Sequence, residues 1–228
     1  MHGLTMIAED NAYRVKRLET GEKVALEDNA QVQCCLVRSG WVGLFSNRQD
    51  GSRQMLRLVL PGEAFWLRSN DPGKVVQTVE ALTPANCCWL SRAEIDAIGQ
   101  SDVSYMAAYV CDLERELALL QDTITNIGRR DATAQVAQFL VSLAMRATGK
   151  DILRKPEPCR IPLTQRMIGD ALGLTQIHVN RTVRNLRLEG LLTYQSGIFI
   201  PLDPGRLSKL IDFTPQKRAL WLASAQAS

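Results

Sequence analysis

The sequence is poor in histidine, with only His2 and His178 among its 228 residues. This scarcity excludes metal sites built from several imidazoles and disfavours a Ser-His-Asp catalytic triad. No apolar run approaches the roughly 20 residues that a helix needs to span a bilayer. The first ten residues lack a basic segment followed by an apolar core, so no signal peptide is predicted. We expect a cytoplasmic protein with no membrane partner, no metal site and no catalytic site.

The six cysteines do not form a recognisable metal or redox motif, because none has the C-x-x-C spacing. The adjacent pairs at 34/35 and 87/88 would point to opposite faces of a strand, so neither pair is suited to chelate one ion. A reducing cytosol also argues against disulfides. All six cysteines are predicted to be packing residues, since free cysteine is commonly buried.

Charge is unevenly distributed along the chain. Residues 1–127 contain 12 Lys and Arg against 17 Asp and Glu, a net charge of −5. Residues 128–228 contain 15 against 7, a net charge of +8, which leaves the whole chain at +3. A basic C-terminal part joined to an acidic N-terminal part suggests that the C-terminal part meets a polyanion, although a solvated basic face would carry the same charge.

The N-terminal part has the spacing of turn signals and strand-like runs that is typical of an all-β unit. Turn signals recur at Gly21, Gly40, Asn47 to Gly51, Pro61-Gly62, Asp71 to Gly73 and Thr83-Pro84. Strand-like runs lie between them, at Val32 to Val37, Trp41 to Phe45, Gln54 to Leu60 and Val75 to Leu82. Several short strands at near-regular spacing predict a sandwich or jelly roll. After them, Ser91 and Glu94 form a capping box that predicts the start of a short helix.

The next segment carries a heptad pattern of apolar residues at alternating intervals of three and four. Its members are Val103, Met106, Val110, Leu113, Leu117, Leu120, Ile124 and Ile127. A strict seam of this kind predicts a two-chain coiled coil and hence a homodimer. Glu114 and Glu116 fall at the e and g positions, where they would face Tyr109 and Gln121 of a second copy without like-charge repulsion. The alternative is a long helix that lies on its own β unit.

The C-terminal part begins with a further helical pattern. Asp131 is a candidate N-cap for a helix that runs to about Ala147. The apolar side of this helix includes Val136, Phe139, Leu140 and Leu143. A polar, proline-containing stretch from Thr148 to Pro162 follows and predicts a loop with a short strand at its end.

Two short helices in tight succession come next. Thr164 is a candidate N-cap for the first helix, whose apolar stripe contains Ile168 and Leu172. Gly173 can adopt the left-handed conformation that ends a helix, and Thr175 caps the second helix immediately. Two helices joined by three to four residues that include a glycine are typical of a helix-turn-helix.

The second helix, predicted over 175–187, divides into two faces. Val179, Val183 and Leu186 lie on one side and can pack on the first helix. The other side presents Gln176, Ile177, Asn180, Arg181 and Arg184. Arginine can bind guanine bidentately and asparagine or glutamine can bind adenine, so this face suits the major groove of DNA. The alternative is a helical hairpin whose polar face binds nothing.

The elements after the second helix complete a winged helix-turn-helix. Leu191 to Gln195 and Ile198 to Pro201 flank Ser196-Gly197, which predicts a two-residue hairpin. Asp203-Pro204 predicts the start of another helix, because aspartate is a good cap and proline suits the first turn. The tail over 214–228 is able to form a short amphipathic helix and has no predicted function.

The order of β-roll, long helix and winged helix-turn-helix resembles the Crp/Fnr family of transcription regulators over nearly the whole chain. The segments that carry the resemblance are Arg38-Ser39-Gly40, Pro61-Gly62-Glu63, Ile168 to Thr175, Asn180-Arg181 and Leu188 to Leu192. The resemblance implies an α+β fold with three parts: a jelly-roll-like β-roll sensor domain over 1–98, a dimerisation helix over 99–128 and a winged helix-turn-helix DNA-binding domain over 129–228. It also implies a homodimer that reads a near-palindromic operator in double-stranded DNA and contacts RNA polymerase.

The resemblance places Arg181 where the family's base-reading arginine lies. Well-known members carry glutamate at position 177, whereas Ile177 offers only apolar contact, so no known operator is transferred to this chain. His178 is expected to face phosphate or solvent. The full set of predicted DNA contacts is Thr164, Gln165, Thr175, Gln176, Ile177, His178, Asn180, Arg181 and Arg184.

Departures from the family's ligand-binding pattern argue against control by a cyclic nucleotide. In relatives that bind one, a Gly-Glu pair is followed by an Arg-Ser/Thr dipeptide that holds the cyclic phosphate. Here that dipeptide is replaced by Val75-Val76, and a buried phosphate without a cation is costly. The family's purine-contacting Thr-Ser falls at Leu120-Gln121. The candidate effector contacts are Gly62, Glu63, Lys74 and Gln121.

Other sensor chemistries are also disfavoured. An iron–sulfur sensor needs four clustered cysteines, and none precedes Cys34. Haem would depend on His2, a cysteine or a non-standard ligand. Cys159, in the loop before the DNA-binding helices, is the one thiol placed to matter if oxidised. Control by abundance or by an unrecognised ligand stays open, as does a signalling module whose C-terminal domain docks on a protein.

Overall fold

A computed structural model describes residues 14–25, 32–47, 51–66, 77–101 and 103–223 of the chain. The chain divides into two compact units at the junction of Glu116 and Leu117. This junction lies inside a long helix, which therefore contributes one half to each unit. Within the described ranges, no helix is both long enough and apolar enough to cross a bilayer.

The described part of the first unit contains eight strands in two antiparallel sheets. The strands are β1 (Arg14–Leu18), β2 (Lys23–Ala25), β3 (Val32–Ser39), β4 (Val42–Asn47), β5 (Arg53–Val59), β6 (Ala64–Trp66), β7 (Gln77–Ala81) and β8 (Ala85–Ser91). One sheet has the order β1-β8-β3-β6 and the other has the order β2-β7-β4-β5. This architecture confirms the predicted β-roll. The first two residues of the predicted strand over 75–82 lie outside the described residues.

The core of the first unit is formed by alternate residues of the strands. The first sheet contributes Cys35, Val37, Phe65, Cys87 and Trp89, and the second contributes Val42, Leu44, Val59 and Val79. The rings of Phe65 and Trp89 meet edge to face, with their centroids 6.2 Å apart. Cys34 and Leu36 point to the opposite face of β3 and are also buried, so this strand is covered on both sides.

The turn between β3 and β4 requires glycine at position 40. Gly40 has a φ of +82°, and a Cβ at this position would lie 2.2 Å from the carbonyl oxygen of Pro84. Next to it, Asn86 Nδ2 donates a hydrogen bond to Ser39 Oγ at 2.8 Å. The close backbone approach and this bond hold the end of β3 against the start of β8.

Two helices follow the strands, α1 (Arg92–Ser101) and α2 (Val103–Arg129). The predicted capping box at the start of α1 is confirmed. Ser91 Oγ accepts a hydrogen bond from the Glu94 backbone N–H at 3.3 Å, and Glu94 Oε2 accepts one from the Ser91 N–H at 2.6 Å. The capping residues therefore end β8 and begin α1 within one turn of the chain.

The second unit contains the C-terminal half of α2 and eight further elements in the described chain. They are α3 (Ala132–Thr148), β9 (Cys159–Arg160), α4 (Gln165–Leu172), α5 (Gln176–Leu188), β10 (Leu192–Gln195), β11 (Ile198–Pro201), α6 (Pro204–Leu210) and α7 (Pro215–Leu222). The three strands form one antiparallel sheet in the order β10-β11-β9. The predicted N-caps are confirmed, since Asp131 accepts from the Ala134 N–H and Asp203 accepts from the Arg206 N–H.

The C-terminal tail packs into the second unit through a polar network, which gives its first described residues a structural role. Trp221 is fully buried, and its indole Nε1 donates to Asp122 Oδ2 at 3.0 Å. Gln138 Nε2 donates to the other carboxylate oxygen of Asp122 at 3.0 Å. Lys217 Nζ donates to Gln138 Oε1 at 3.2 Å. These bonds join α2, α3 and α7, and α7 confirms the predicted short helix.

Five of the six cysteines are buried, but Cys111 is exposed. The prediction that all six are packing residues is wrong at Cys111, which lies on a part of α2 where the adjacent Val110 is exposed as well. Burial raises the pKa values of Cys34 and Cys35 well above that of a free thiol. Both of these thiols therefore stay protonated and act as small apolar side chains.

Candidate nucleic-acid interface

The two helices α4 and α5 begin at their predicted caps, and α5 ends at Leu188, one residue beyond the predicted range. Thr164 Oγ1 accepts a hydrogen bond from the Met167 N–H at 3.2 Å and caps α4. Thr175 Oγ1 accepts one from the His178 N–H at 3.2 Å and caps α5. Between them, Gly173 ends α4 in the left-handed conformation with a φ of +69°. These local bonds establish the helix-turn-helix.

Gly169 in the interior of α4 is a structural requirement that the sequence reasoning did not identify. The Leu174 N–H donates to the Gly169 carbonyl oxygen at 3.0 Å. A Cβ on Gly169 would lie 2.4 Å from the carbonyl oxygen of Leu174. The turn that leads into α5 therefore folds back onto α4 at a distance that only glycine permits. A glycine inside a short helix was the available signal, since its helix propensity is poor.

One face of α5 is buried in the second unit. Val179, Val183 and Leu186 are buried as predicted, and Thr182 is buried with them. The helix contacts α3, α4 and β10. This packing fixes the rotation of α5 about its own axis. The residues that do not pack against α3, α4 and β10 therefore form the opposite face of the helix.

The opposite face of α5 is exposed and polar. Its exposed residues include Gln176, Ile177, Asn180, Arg181 and Arg184, and His178 is partly exposed. Ile177 has 83% of its surface exposed, so its apolar side chain is accessible on this face. Arginines, amides and one apolar group on a single helical face match the chemistry of base edges in the major groove.

The first residue of α4 is joined to this face. Asn180 Nδ2 donates a hydrogen bond to Gln165 Oε1 at 2.8 Å. Both residues are among the predicted DNA contacts, but their pairing was not predicted. Fifteen positions separate them, and no short-range pattern in the sequence indicates that their side chains meet.

The β10–β11 hairpin forms the predicted wing. Ser196 and Gly197 have φ values of +52° and +74°, the combination that a two-residue hairpin turn requires. Tyr194 is buried and its hydroxyl donates to the Ile161 carbonyl oxygen at 3.0 Å. Burial raises the pKa of Tyr194 to about 12. On the outer face of the wing, Ile198 lies beside Arg160 of β9, and both are exposed.

The heptad residues of α2 form an exposed apolar stripe, which we call the seam. Their side chains are described from Val110 onward; those of Val103 and Met106 lie outside the described residues. Leu117 and Ile124 have 56% and 69% of their surfaces exposed. Val110, Leu120 and Ile127 are exposed as well, and Leu113 is half-buried.

The other side of α2 makes contacts within the chain. In the first unit, Arg115 Nη2 lies 3.3 Å from Glu63 Oε1, and Glu116 pairs with Arg57 of β5. In the second unit, α2 supplies Asp122 to the network with Trp221. The N-terminal half of α2 thus contacts its own β unit through Arg115 and Glu116, while the seam faces away from these contacts.

Three of the four candidate effector contacts lie within the described residues. Glu63 is buried, its Oε1 lies next to Arg115, and its Oε2 accepts from the Leu60 N–H at 3.1 Å. Gly62 is half-buried and Gln121 is exposed on α2. Lys74 lies outside the described residues.

Cys159 has the properties of a packing residue. It is buried in β9, and burial is the main cause that raises its pKa above the ordinary thiol value. Oxidation requires an accessible thiolate, and both conditions are disfavoured here. The structure therefore argues against Cys159 as a redox-active thiol.

Comparison with known proteins agrees with this architecture. Residues 15–102 match the family model of the cyclic nucleotide-binding domain, and residues 134–210 match that of the Crp-like helix-turn-helix domain. The chain is 27% identical to the nitrogen fixation regulation protein FixK of Bradyrhizobium diazoefficiens, over 84% of this chain and 79% of the relative. It is 28% identical to the transcriptional activatory protein AadR of Rhodopseudomonas palustris, over 83% of this chain and 79% of the relative.

A solved structure shows the same fold. FixK2 from Bradyrhizobium japonicum has a TM-score of 0.73 to this chain at 26% identity, over 87% of this chain and 97% of that chain. The relatives are named as regulators rather than as enzymes. The two family models follow each other in the same order as the two units. The named regulators match over most of both chains. Both observations agree with the exposed helix-turn-helix face. The chain belongs to the Crp/Fnr family of DNA-binding transcription regulators.

Proposed function

We propose that the chain is a homodimeric transcription regulator that reads a near-palindromic operator through α5 and is not controlled by a cyclic nucleotide. The observation that carries the proposal is the contrast between the two faces of α5. One face is buried against α3, α4 and β10, while the other exposes amide and guanidinium groups suited to base edges. RNA polymerase is the further partner that we propose.

The seam of α2 supports a homodimer. An apolar stripe that includes Leu117 and Ile124 is unusual on a surface that stays in water, whereas a second copy would bury it at heptad spacing. The opposite side of α2 is already occupied by contacts with its own chain, through Arg115 and Asp122. A parallel dimer would present two copies of α5 to half-sites about one helical turn apart, roughly 34 Å.

The surroundings of Glu63 support independence from cyclic nucleotides. Both oxygens of its buried carboxylate are engaged by the chain itself, through Arg115 and the Leu60 N–H. A ligand hydroxyl would have to compete with these bonds. The family's phosphate-holding dipeptide is absent from the sequence, where Val75-Val76 stands in its place.

Selection of DNA from a random double-stranded pool tests the main proposal. The purified protein is expected to enrich two inverted half-sites centred about ten base pairs apart, with retention that falls steeply as salt rises. Light scattering at micromolar concentration is expected to give the mass of two chains. Retention of all sequences alike, or of none, would contradict operator recognition and favour a domain that docks on protein.

Thermal melting with and without cyclic AMP or cyclic GMP tests the effector proposal. A ligand at 100 times its Kd adds about 2.7 kcal/mol of stability, which a melting curve detects readily. We expect no change in melting temperature and no change in DNA retention. The absorption spectrum of gently purified protein is likewise expected to lack haem and iron–sulfur bands, and such a band would contradict the proposed absence of both cofactors.

A further inference from the structure

The hydrogen bond between Gln165 and Asn180 crosses the helix-turn-helix at its exposed surface. Gln165 is the first residue of α4, and its backbone is held by the cap at Thr164. Asn180 lies on the exposed face of α5, whose opposite face is buried. The 2.8 Å bond from Asn180 Nδ2 to Gln165 Oε1 therefore joins two side chains whose backbones are both fixed.

This bond leaves Asn180 with the groups that adenine requires. An asparagine amide has two hydrogens on Nδ2 and an acceptor at Oδ1. The bond to Gln165 uses one of these hydrogens. The second hydrogen and Oδ1 correspond to the donor and acceptor that bind N7 and N6 of adenine.

The bond also couples the orientation of the Asn180 amide to that of the Gln165 amide. If the Asn180 amide alone rotated by half a turn, its Oδ1 would face Gln165 Oε1, and two acceptors would meet. Because the pair forms within the protein, part of the entropy cost of ordering Asn180 is already met before DNA arrives.

We propose that Gln165 is a positioning residue for base recognition, which holds the Asn180 amide in the orientation that reads adenine. It thereby sets the base preference at the position of Asn180 without contacting that base. This inference rests on the proposed recognition of DNA by α5.

The test compares base preferences of variants on the operator that the wild-type protein selects. Asn180→Ala identifies the base pair that Asn180 reads, as the one at which preference is lost. Gln165→Ala is expected to reduce preference at the same base pair by at least about fivefold, since a bidentate amide contact discriminates by roughly that factor or more. In the Asn180→Ala background, Gln165→Ala is expected to cause no further change.

Two matched variants separate positioning from direct contact. Gln165→Glu keeps an acceptor for Asn180 Nδ2, so base preference is expected to persist while affinity for all DNA falls because of the added negative charge. Gln176→Ala removes an exposed amide from the same face of α5. Its effect is expected at a different base pair and to add to that of Asn180→Ala. Melting temperatures of all variants should match the wild type, because the substituted side chains lie at the surface.

Several results would overturn the inference alone. These are an unchanged preference in Gln165→Ala, an equal loss of affinity for all sequences, a further change of preference in the Asn180→Ala background, and no base pair at which Asn180→Ala loses preference. A wild-type protein that enriches no sequence would instead overturn the proposed function, and this inference with it.

Discussion

Arg181 and Arg184 lie three residues apart on the exposed face of α5, and we expect Arg181 to contact a base and Arg184 to contact phosphate. Arg181→Ala is expected to cost about 1–3 kcal/mol of binding free energy and to relax preference at one base pair, because it removes a base contact. Arg184→Ala, as a phosphate contact, is expected to weaken binding to operator and random DNA alike and to lower the salt slope by about 1. Competition binding on both DNAs measures each effect. Equal losses on both DNAs for Arg181→Ala would contradict its role.

Gly169 and Gly128 are both helical glycines, but only one is packed against backbone. A Cβ on Gly169 would lie 2.4 Å from the Leu174 carbonyl oxygen, whereas a Cβ on Gly128 would meet nothing within 4 Å. Gly169→Ala is therefore expected to destabilise the second unit by about 1–3 kcal/mol through overpacking. Gly128→Ala is the control and is expected to be neutral or to stabilise by up to about 1 kcal/mol. Urea unfolding measures the change in stability of each variant. Equal changes for Gly169→Ala and Gly128→Ala would show that the turn can move away from α4.

At the scale of the elements, the wing contains a group whose titration links stability to pH. Burial raises the pKa of Tyr194 from 10.0 to about 12, so the unfolded chain loses this proton at a lower pH than the folded chain. The stabilising contribution is complete below pH 10 and is lost as pH rises towards 12, by roughly 2–3 kcal/mol in total. Urea unfolding at pH 9 and pH 11.5 measures the loss. Tyr194→Phe should show a smaller decrease over this interval, and a decrease equal to that of the wild type would contradict the assignment.

The seam of α2 predicts which substitutions separate two copies. Leu117→Lys with Ile124→Lys places two cations in the expected interface, so light scattering at micromolar concentration should report single chains. Thr125→Lys adds a single cation at an exposed b position of the same helix and should leave the dimer intact. A dimer that survives the double substitution would show that the seam is not the interface. Loss of the dimer should also abolish operator binding, since a single chain contacts only one of the two half-sites.

At the scale of the whole molecule, structural features could be predicted where the residues that form them lie within a few positions of each other in the sequence. The caps at Thr164 and Thr175 act on N–H groups three residues away, so sequence patterns identify them directly. Contacts between distant side chains carry no such signal. The bond between Trp221 and Asp122 spans 99 positions. Its two partners are recognisable only after α2, α3 and α7 have packed together.

The network around Asp122 predicts that the tail stabilises the second unit. Trp221→Ala removes a fully buried indole and should cost about 3–5 kcal/mol, because a large cavity is left. Trp221→Phe keeps most of the apolar contact but removes the donor to Asp122, so a smaller cost of about 1–3 kcal/mol is expected. Gln216→Ala, exposed on the same helix, should cost nothing measurable. If urea unfolding gave all three variants the stability of the wild type, α7 would leave α3 and the C-terminal half of α2 without cost, and the tail would not stabilise the second unit.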